Sequence, residues 1–374
     1  MMKSFLKIFT TLACIFSALE AIAENNFKPI YETNSSEKIH SIGFDKEGNY
    51  FYALKEGGNA QVWDSNNHKL IETVLSDFSN YEVMWTRDPV EIYFTGSNDP
   101  VHVLNVETLS SRDIIFENSG RGPTIISPNN RYLMKGVEIY DAQNKSYSYI
   151  GGLDYKIYQR SRWLSISDDS NTVQMASLNN SADGASVLTF VDLETAEKLT
   201  SWSPTWLLGS SIIESVLLRG NIAAIGQANN DIKLWSYIQE ETIGTLSFEE
   251  DITLLKRYQK QGKESLMVWG ENKISVWESD NWLKQPKQKT INHGSSTAIF
   301  YPSLSYDSQL VSFTAENKSQ FQVKSMINRI EGSPLFNDSN NEFKNEVQGV
   351  FSPTDSHLLT IDKSRKKLTL WQFD

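Results

Sequence analysis

A short motif recurs along this chain and constrains its fold more than any other feature. The motif alternates apolar and polar residues, and its best copy, Asn59-Ala60-Gln61-Val62-Trp63-Asp64, ends in an aromatic residue and an acid. Eight copies occur, and their Trp63-equivalent positions are residues 63, 104, 140, 191, 235, 277, 324 and 371. The mean spacing of about 44 residues matches four short strands with their turns, so the sequence predicts a β-propeller.

Short apolar runs flank each copy of the motif and are separated by Gly, Asn and Asp, which favour turns. In the first repeat we predict strands over residues 39–45, 50–54, 60–64 and 69–75, and in the second over residues 82–86, 91–95, 101–106 and 112–116. This density of strands and turns leaves no room for helices. The sequence therefore predicts an all-β chain of eight four-stranded blades. Seven blades are the alternative, because the copy that ends at Lys324-Ser325 lacks the aromatic residue.

The two ends of the chain predict how the ring closes. The chain ends at Asp374, directly after the eighth motif, so the eighth blade is one outer strand short. One extended segment, Phe27 to Thr33, precedes the first repeat and belongs to no repeat. We predict that this segment pairs with the last strand, because that pairing removes the exposed edge of an open ring.

Several stretches resemble the WD-repeat family. Residues 347–355, 357–362 and 368–372 resemble that family's inner strand ending in Phe-Ser-Pro-Asp-Gly, its middle strand, and its third strand ending in Leu-Trp-Asp. Residues 126–133 and 230–235 are further matches. The chain departs from the family in having Trp-Asp only once, at Trp63-Asp64, and no Gly-His pair. The resemblance implies a propeller, but the family's Asp-His-Ser-Trp hydrogen-bond network is not expected here.

The N-terminus has the pattern of a secretory signal peptide. Lys3 and Lys7 precede an apolar run over residues 8–19, and Ala21-Ile22-Ala23 provides small residues for cleavage. We therefore predict a signal peptide over residues 1–23 and one propeller domain over residues 24–374. A lipoprotein attached through Cys14 is the alternative, because small residues also precede that cysteine.

Charge and cysteine content narrow the function of the mature chain. Residues 1–23 carry two Lys and one Glu, so their removal moves the net charge from −11 to −12. An acidic chain is a poor partner for nucleic acid or anionic lipid. Cys14 is the only cysteine, so the mature chain has no thiolate and no disulfide. Without a further long apolar run, we expect a monomeric periplasmic or secreted domain with no integral membrane segment.

Motifs for catalysis and metal binding are absent from the sequence. It has no His-Glu-x-x-His, Gly-x-Ser-x-Gly, Walker loop or Gly-x-Gly-x-x-Gly. The five histidines are scattered over four repeats, and Asp45 and Asp168-Asp169 fall where hairpin turns are expected. We therefore predict no catalytic residue, metal or cofactor. Trp63, Trp235, Trp277 and Trp371 occupy equivalent positions and are predicted to lie in the core.

On a propeller, the connections from each outer strand to the next inner strand lie on one face of the ring, which we name the upper face. Three consecutive connections, residues 118–123, 153–162 and 202–206, lead into blades 3, 4 and 5 and are rich in Trp, Tyr and Arg. These residue types dominate binding hot spots. The predicted partner-binding residues are Arg121, Tyr155, Tyr158, Arg160, Arg162, Trp202 and Trp206. For Tyr158 and Trp206 the alternative is burial in strands between blades.

These observations favour an exported, non-enzymatic propeller that binds a protein or peptide through its upper face. The alternative is a periplasmic enzyme or small-ligand binder that uses the central channel. A channel enzyme should have a ring of carboxylates or histidines near the starts of its inner strands. The residues there are too mixed to define a reaction: Lys38, Tyr81, Thr124, Arg162, Ser211, Asp251, Ser296 and Asn345.

The first testable prediction concerns processing. Cleavage after Ala23 should give a mature protein that begins at Glu24, because residues 21–23 have the small-x-small pattern of a cleavage site. N-terminal sequencing of the exported protein checks this. A lipid-modified N-terminal Cys14 would contradict it.

Overall fold

The computed structural model describes residues 27–45, 47–74, 82–85, 91–95, 100–116, 124–150, 163–167, 169–178, 186–203, 212–260, 263–271, 273–284, 286–292, 300–305, 310–315, 320–325, 343 and 345–373. The predicted signal peptide and Cys14 lie outside these residues. Every regular element that the described residues form is a β-strand. None of them contributes a helix that is long and apolar enough to span a membrane.

The strands form eight antiparallel blades, each ordered from an inner strand to an outer strand. Blade 1 contains β2 (Ile39–Phe44), β3 (Tyr50–Lys55), β4 (Ala60–Asp64) and β5 (Leu70–Val74). Blade 2 contains β6 (Glu82–Trp85), β7 (Glu91–Thr95), β8 (Val101–Asn105) and β9 (Ser111–Ile114). Blade 3 contains β10 (Thr124–Ile126), β11 (Tyr132–Lys135), β12 (Glu138–Asp141) and β13 (Ser146–Tyr149). Blade 4 contains β14 (Trp163–Ile166), β15 (Thr172–Leu178), β16 (Ser186–Asp192) and β17 (Lys198–Trp202).

The second half of the chain repeats this order. Blade 5 contains β18 (Ile212–Leu218), β19 (Ile222–Gln227), β20 (Asp231–Ser236) and β21 (Glu241–Ser247). Blade 6 contains β22 (Leu254–Lys260), β23 (Lys263–Trp269), β24 (Lys273–Ser279) and β25 (Lys287–Asn292). The described strands of blade 7 are β26 (Phe300–Leu304), β27 (Leu310–Ala315) and β28 (Gln320–Ser325). Blade 8 contains β29 (Glu346–Phe351), β30 (His357–Asp362) and β31 (Lys367–Gln372), with β1 (Lys28–Asn34) as its outer strand.

The eight predicted motifs are the third strands of the eight blades, so the prediction of eight blades is confirmed and seven is wrong. The predicted strands of blades 1 and 2 agree with the observed ones to within two residues at each end. Trp63, Trp235, Trp277 and Trp371 are all buried, as predicted. Of the hydrogen-bond network typical of WD repeats, blade 8 contains one bond, from Trp371 Nε1 to Thr360 Oγ1 at 2.8 Å.

The acid that ends the motif stabilises the following turn by accepting hydrogen bonds from its backbone. Asp64 Oδ1 accepts a hydrogen bond from the backbone N–H of Asn66 at 2.8 Å, and Asp192 Oδ1 accepts one from Thr195 at 2.8 Å. Four residues after each acid, the backbone turns to positive φ, at 59° for His68 and 57° for Ala196. Short polar side chains stabilise such turns, so the aromatic-acid pattern combines one core residue with one turn residue.

Buried apolar side chains join each blade to the next. Eight clusters occur among the described residues, and each combines two consecutive blades. Between blades 4 and 5, for example, the rings of Phe190 and Trp235 pack with centroids 5.2 Å apart. Blade 8 packs on blade 1 in the same way, with Ile361 against Trp63 in one cluster. The eight seams therefore form a closed ring.

The predicted closure by the two chain ends is confirmed. Strand β1 pairs antiparallel with β31, in a register that runs from Lys28 opposite Gln372 to Asn34 opposite Lys367. Phe27, just before β1, is buried in the cluster between blades 7 and 8. An exposed ion pair such as Lys367 with Glu32, at 2.6 Å, contributes about 0–1 kcal/mol, whereas burying a Phe side chain contributes about 1.5–3 kcal/mol. Backbone pairing and apolar packing are therefore the main source of closure.

The turn between β30 and β31 fastens blade 8 to the start of blade 1. The guanidinium of Arg365 donates to the carbonyls of Ile39 and His40, both at 2.9 Å. In return, the backbone N–H of Ile39 donates to the carbonyl of Arg365 at 2.6 Å, and that of Ser35 donates to Lys366 at 2.7 Å. Arg365 has a positive φ of 57°, as is common in tight turns. One side chain thus links the last turn to the first inner strand.

Deletion of residues 24–34 should strongly destabilise the ring. The deletion removes β1 and Phe27, so it leaves the edge of β31 unpaired and opens the cluster between blades 7 and 8. Thermal melts and light scattering should show a lower Tm and aggregation. Deletion of residues 24–26 alone is the matched control and should melt like the mature protein. An unchanged Tm for the longer deletion would contradict closure by this strand.

Candidate functional site

Of the seven predicted partner-binding residues, Trp202 is the one that the structure describes. Arg121, Tyr155, Tyr158, Arg160, Arg162 and Trp206 lie outside the described residues. Trp202 is described, and the prediction that it lies on a connecting loop is wrong, because it is the last residue of β17 and is paired with Leu188. It is half-buried against the cluster between blades 4 and 5. Its role in binding remains a prediction.

At the upper face, the outer strands of blades 2, 3 and 4 end in, or are followed directly by, apolar residues that reach solvent. Ile115, one residue beyond β9, is 66% exposed, and Tyr149, the last residue of β13, is 47% exposed. Trp202 at the end of β17 retains part of its surface in solvent. In contrast, β21 and β1 end in the exposed polar residues Ser247 and Asn34. The apolar strand ends therefore belong to blades 2, 3 and 4 among the strands compared.

Aromatic packing holds the outer strand of blade 3 in place. Tyr147 lies opposite Tyr140 on β12, with ring centroids 4.9 Å apart, and contacts Phe116 edge-on at 5.9 Å. Tyr147 and Tyr149 are two residues apart on β13, so their side chains are on the same face of the sheet. We name Ile115, Tyr147, Tyr149 and Trp202 the outer apolar patch. Exposed apolar side chains on one face of a ring are candidates for an interaction site.

Sequence reasoning missed Ile115, Tyr147 and Tyr149. The available signal was the composition of β13, Ser-Tyr-Ser-Tyr, which has no charged residue. Outer strands usually carry charge or proline that discourages contact with other chains, as Lys28 and Pro29 do in β1. An uncharged outer strand with two tyrosines was therefore a detectable exception.

The inner strands of blades 5, 6 and 7 bring polar groups to the wall of the central channel. Lys256, in the middle of β22, is exposed, although protein surrounds it closely enough that desolvation lowers its pKa. Its Nζ donates to the carbonyl of Pro302 at 3.3 Å, and Tyr258 Oη donates to the same oxygen at 3.4 Å. Glu214 on β18 is near enough to oppose the shift of the Lys256 pKa. Sequence reasoning did not identify these residues, because they come together only in the ring.

Two buried carboxylates on other strands have structural partners. Glu264 accepts hydrogen bonds from the indole of Trp282 and the backbone N–H of Arg219, and it pairs with Arg257 at 2.5 Å. These contacts connect blades 5 and 6. Such satisfied buried charges are expected to hold the blades together.

The second of these carboxylates is on blade 2. Glu91 accepts two bonds from the Arg112 guanidinium, at 2.5 and 3.0 Å, and one from Tyr93 Oη at 2.8 Å. Burial opposes ionisation of Glu91, but these bonds outweigh it and hold its pKa below the usual value. These bonds therefore keep Glu91 ionised and link β7 to β9.

His68, His102 and His357 each contact a neighbouring side chain. His102 pairs with Asp113 at 2.5 Å, His357 pairs with Asp355 at 2.9 Å, and His68 stacks on Tyr31. His293 lies outside the described residues. Within the part of the chain that the structure describes, no group of three His, Cys, Asp or Glu residues has the geometry to hold a metal.

Asp45 and Asp169 lie within the described residues, and both stabilise hairpin turns as predicted. Asp45 Oδ1 accepts the N–H of Tyr50 at 2.8 Å, and Asp169 Oδ1 accepts the hydroxyl of Ser167 at 2.5 Å. Asp168 lies outside the described residues. The two visible acids are therefore engaged in hairpin turns, as the sequence predicted.

One buried carboxyl on the upper side of blade 8 is poorly satisfied. Glu346, the first residue of β29, is 6% exposed, and its Oε2 has no hydrogen-bond partner among the described residues. Burial raises the pKa of Glu346 to about 7; a hydrogen bond from Thr360 and the charge of Lys367 oppose the shift, while Asp362 adds to it. Because the ionised form is the costly one, the blade is more stable when this group is protonated.

No protein-family model matches this chain, and no curated protein matches it. The β-propeller domain of Myceliophteria thermophila Cps50 (Swd1) is a similar solved structure, with a TM-score of 0.54, 10% identity, and coverage of 93% of this chain and 99% of that one. The computationally designed protein Ika8 is another, with a TM-score of 0.58, 15% identity, and coverage of 91% and 97%. At these identities the likeness shows the β-propeller fold alone.

Glu346 generates a testable pH dependence. Its pKa is about 7 when folded and about 4.5 when unfolded, so its stabilising contribution is complete below pH 4.5 and is lost as the pH rises to 7. Glu346→Gln should therefore match the natural protein near pH 4.5 and exceed it above pH 7, by up to about 3 kcal/mol in free energy of unfolding. Denaturant unfolding at several pH values measures this. A constant difference across the range would contradict the assignment.

Proposed function

We propose that this chain is an exported, non-enzymatic β-propeller that binds a protein or peptide partner through the upper face of blades 2 to 5. The observation that carries the proposal is the outer apolar patch, whose members lie at or near the upper ends of three consecutive outer strands. Rigid blades hold such residues in fixed positions, which reduces the entropy lost on binding.

The patch leads directly into the connections that contain the predicted binding residues. Ile115 precedes the segment with Arg121, and Tyr149 precedes the segment with Tyr155, Arg160 and Arg162. Exposed apolar surface next to arginine and tyrosine has the composition of a hot-spot region, in which aromatic area provides affinity and arginine provides orientation. In a chain of net charge −11, this arrangement favours a partner that offers acidic groups or peptide backbone.

The remaining parts of the proposal rest on the sequence. Export rests on the signal-peptide pattern of residues 1–23, and a non-enzymatic role rests on the lack of catalytic motifs. A periplasmic protein without cysteine must be stabilised by packing, which suits a ring of apolar seams.

Two matched double variants test the binding face. Ile115→Ser with Tyr149→Ser removes two apolar side chains from the upper face. Ile238→Ser with Leu283→Ser removes two others, 60% and 67% exposed, from third-to-fourth strand turns on the opposite face. Both doubles should fold, because exposed substitutions usually change stability by a few tenths of a kcal/mol.

The expected result is a selective loss of binding. The partner is identified by affinity capture from a periplasmic extract and mass spectrometry, and its affinity is then measured with each variant. The upper-face double should weaken binding by about 2 kcal/mol or more, and the opposite-face double should leave it unchanged. Equal affinity for both doubles, or loss with the opposite-face double, would show that the upper face is not the site.

A further inference from the structure

Strand β22 places a lysine in the middle of the channel wall. Leu254 and Tyr258 pack partly buried against the cluster between blades 6 and 7, whereas Leu255 packs into the cluster between blades 5 and 6. Alternation along the strand therefore puts Lys256 on the side of blade 7. Unlike its apolar neighbours, Lys256 is exposed, and because β22 is an inner strand this exposed surface faces the central channel.

The ammonium of Lys256 and the hydroxyl of Tyr258 converge on one backbone carbonyl. Lys256 Nζ and Tyr258 Oη both reach the carbonyl oxygen of Pro302, at the long distances of 3.3 and 3.4 Å. Nζ also lies 5.4 Å from the centre of the Tyr258 ring. Because an ammonium has three N–H donors, this single weak bond leaves it with capacity for another acceptor.

The charge of Lys256 is only partly compensated by its surroundings. Its one acceptor in the described residues is a neutral carbonyl, and desolvation lowers its pKa. Glu214 acts in the opposite direction, but its Oε2 also accepts the backbone N–H of Leu255. The adjacent Arg257 pairs with the buried Glu264. Because the channel wall screens charge less than bulk water does, an arriving anion would gain more from Lys256 than from a lysine on the outside of the ring.

We propose that Lys256 and Tyr258 form a binding site in the central channel for a small oxyanion, a carboxylate or a phosphate. One oxygen of the anion accepts hydrogen bonds from Lys256 Nζ and Tyr258 Oη, in place of the weak bonds to Pro302. Hydrogen bonds between an ammonium and an anionic oxygen are about twice as strong as neutral ones. The site is separate from the upper-face patch, so either can exist without the other.

Calorimetric titration of the mature protein with acetate, citrate and orthophosphate, at constant ionic strength, tests the site. At least one anion should bind with a millimolar or tighter Kd. Lys256→Met should raise that Kd at least tenfold, and Tyr258→Phe should raise it severalfold. Lys284→Met, on an exposed turn of the same blade, is the matched control and should leave Kd unchanged. The three anions distinguish a carboxylate site from a phosphate site.

Thermal melts without anion provide a second measurement, which separates binding from folding. Without anion, Lys256→Met should melt at the same or a higher temperature than the natural protein, because the substitution removes a desolvated charge. With anion added, the Tm should rise for the natural protein and stay constant for Lys256→Met. Absence of millimolar binding, or equal binding by Lys256→Met, would overturn the proposal. A marked fall in the Tm of Lys256→Met without anion would also overturn it, because the lysine would then be structural.

Discussion

Apolar packing between neighbouring blades is the constraint on which the rest of this structure depends. Each blade is a small sheet with two apolar faces, and neither face can be buried within the blade itself. Packing each sheet between two others buries both faces. In an open row the first and last blades would each leave one apolar face exposed, so the row closes into a ring. Fully burying one large apolar side chain contributes roughly 1.5–3 kcal/mol, so the seams dominate the stability of the ring.

This constraint explains why most of the fold could be predicted from the sequence. Each blade needs a buried residue at the position equivalent to Trp63, so this position recurs in the sequence at a regular spacing. The acid that follows it is required by the local turn. The closing strand was also predictable, because the last repeat was one strand short. These features depend on local sequence or on counting.

The candidate sites were harder to predict because they depend on contacts between distant parts of the chain. Trp202 is a strand residue because β17 pairs with β16 up to that position. In the sequence it is followed by Ser203 and Pro204, which favour a loop, so its place in the strand was hard to predict. The environment of Lys256 is set by Pro302 on the next blade, and the pKa of Glu346 is raised by its burial in the folded blade. No short window of sequence contains those relations.

The closing blade also determines how the ring responds to force. Lys28, the first residue of β1, lies opposite Gln372, the last residue of β31, so both residues are at the same end of the strand pair. Tension applied between the two chain ends would load the hydrogen bonds of this pair one after another, as in unzipping, rather than all at once, as in shear. A mechanical load at Lys28 and Gln372 should therefore open the ring at blade 8 first, at a lower force than the same hydrogen bonds would bear in shear.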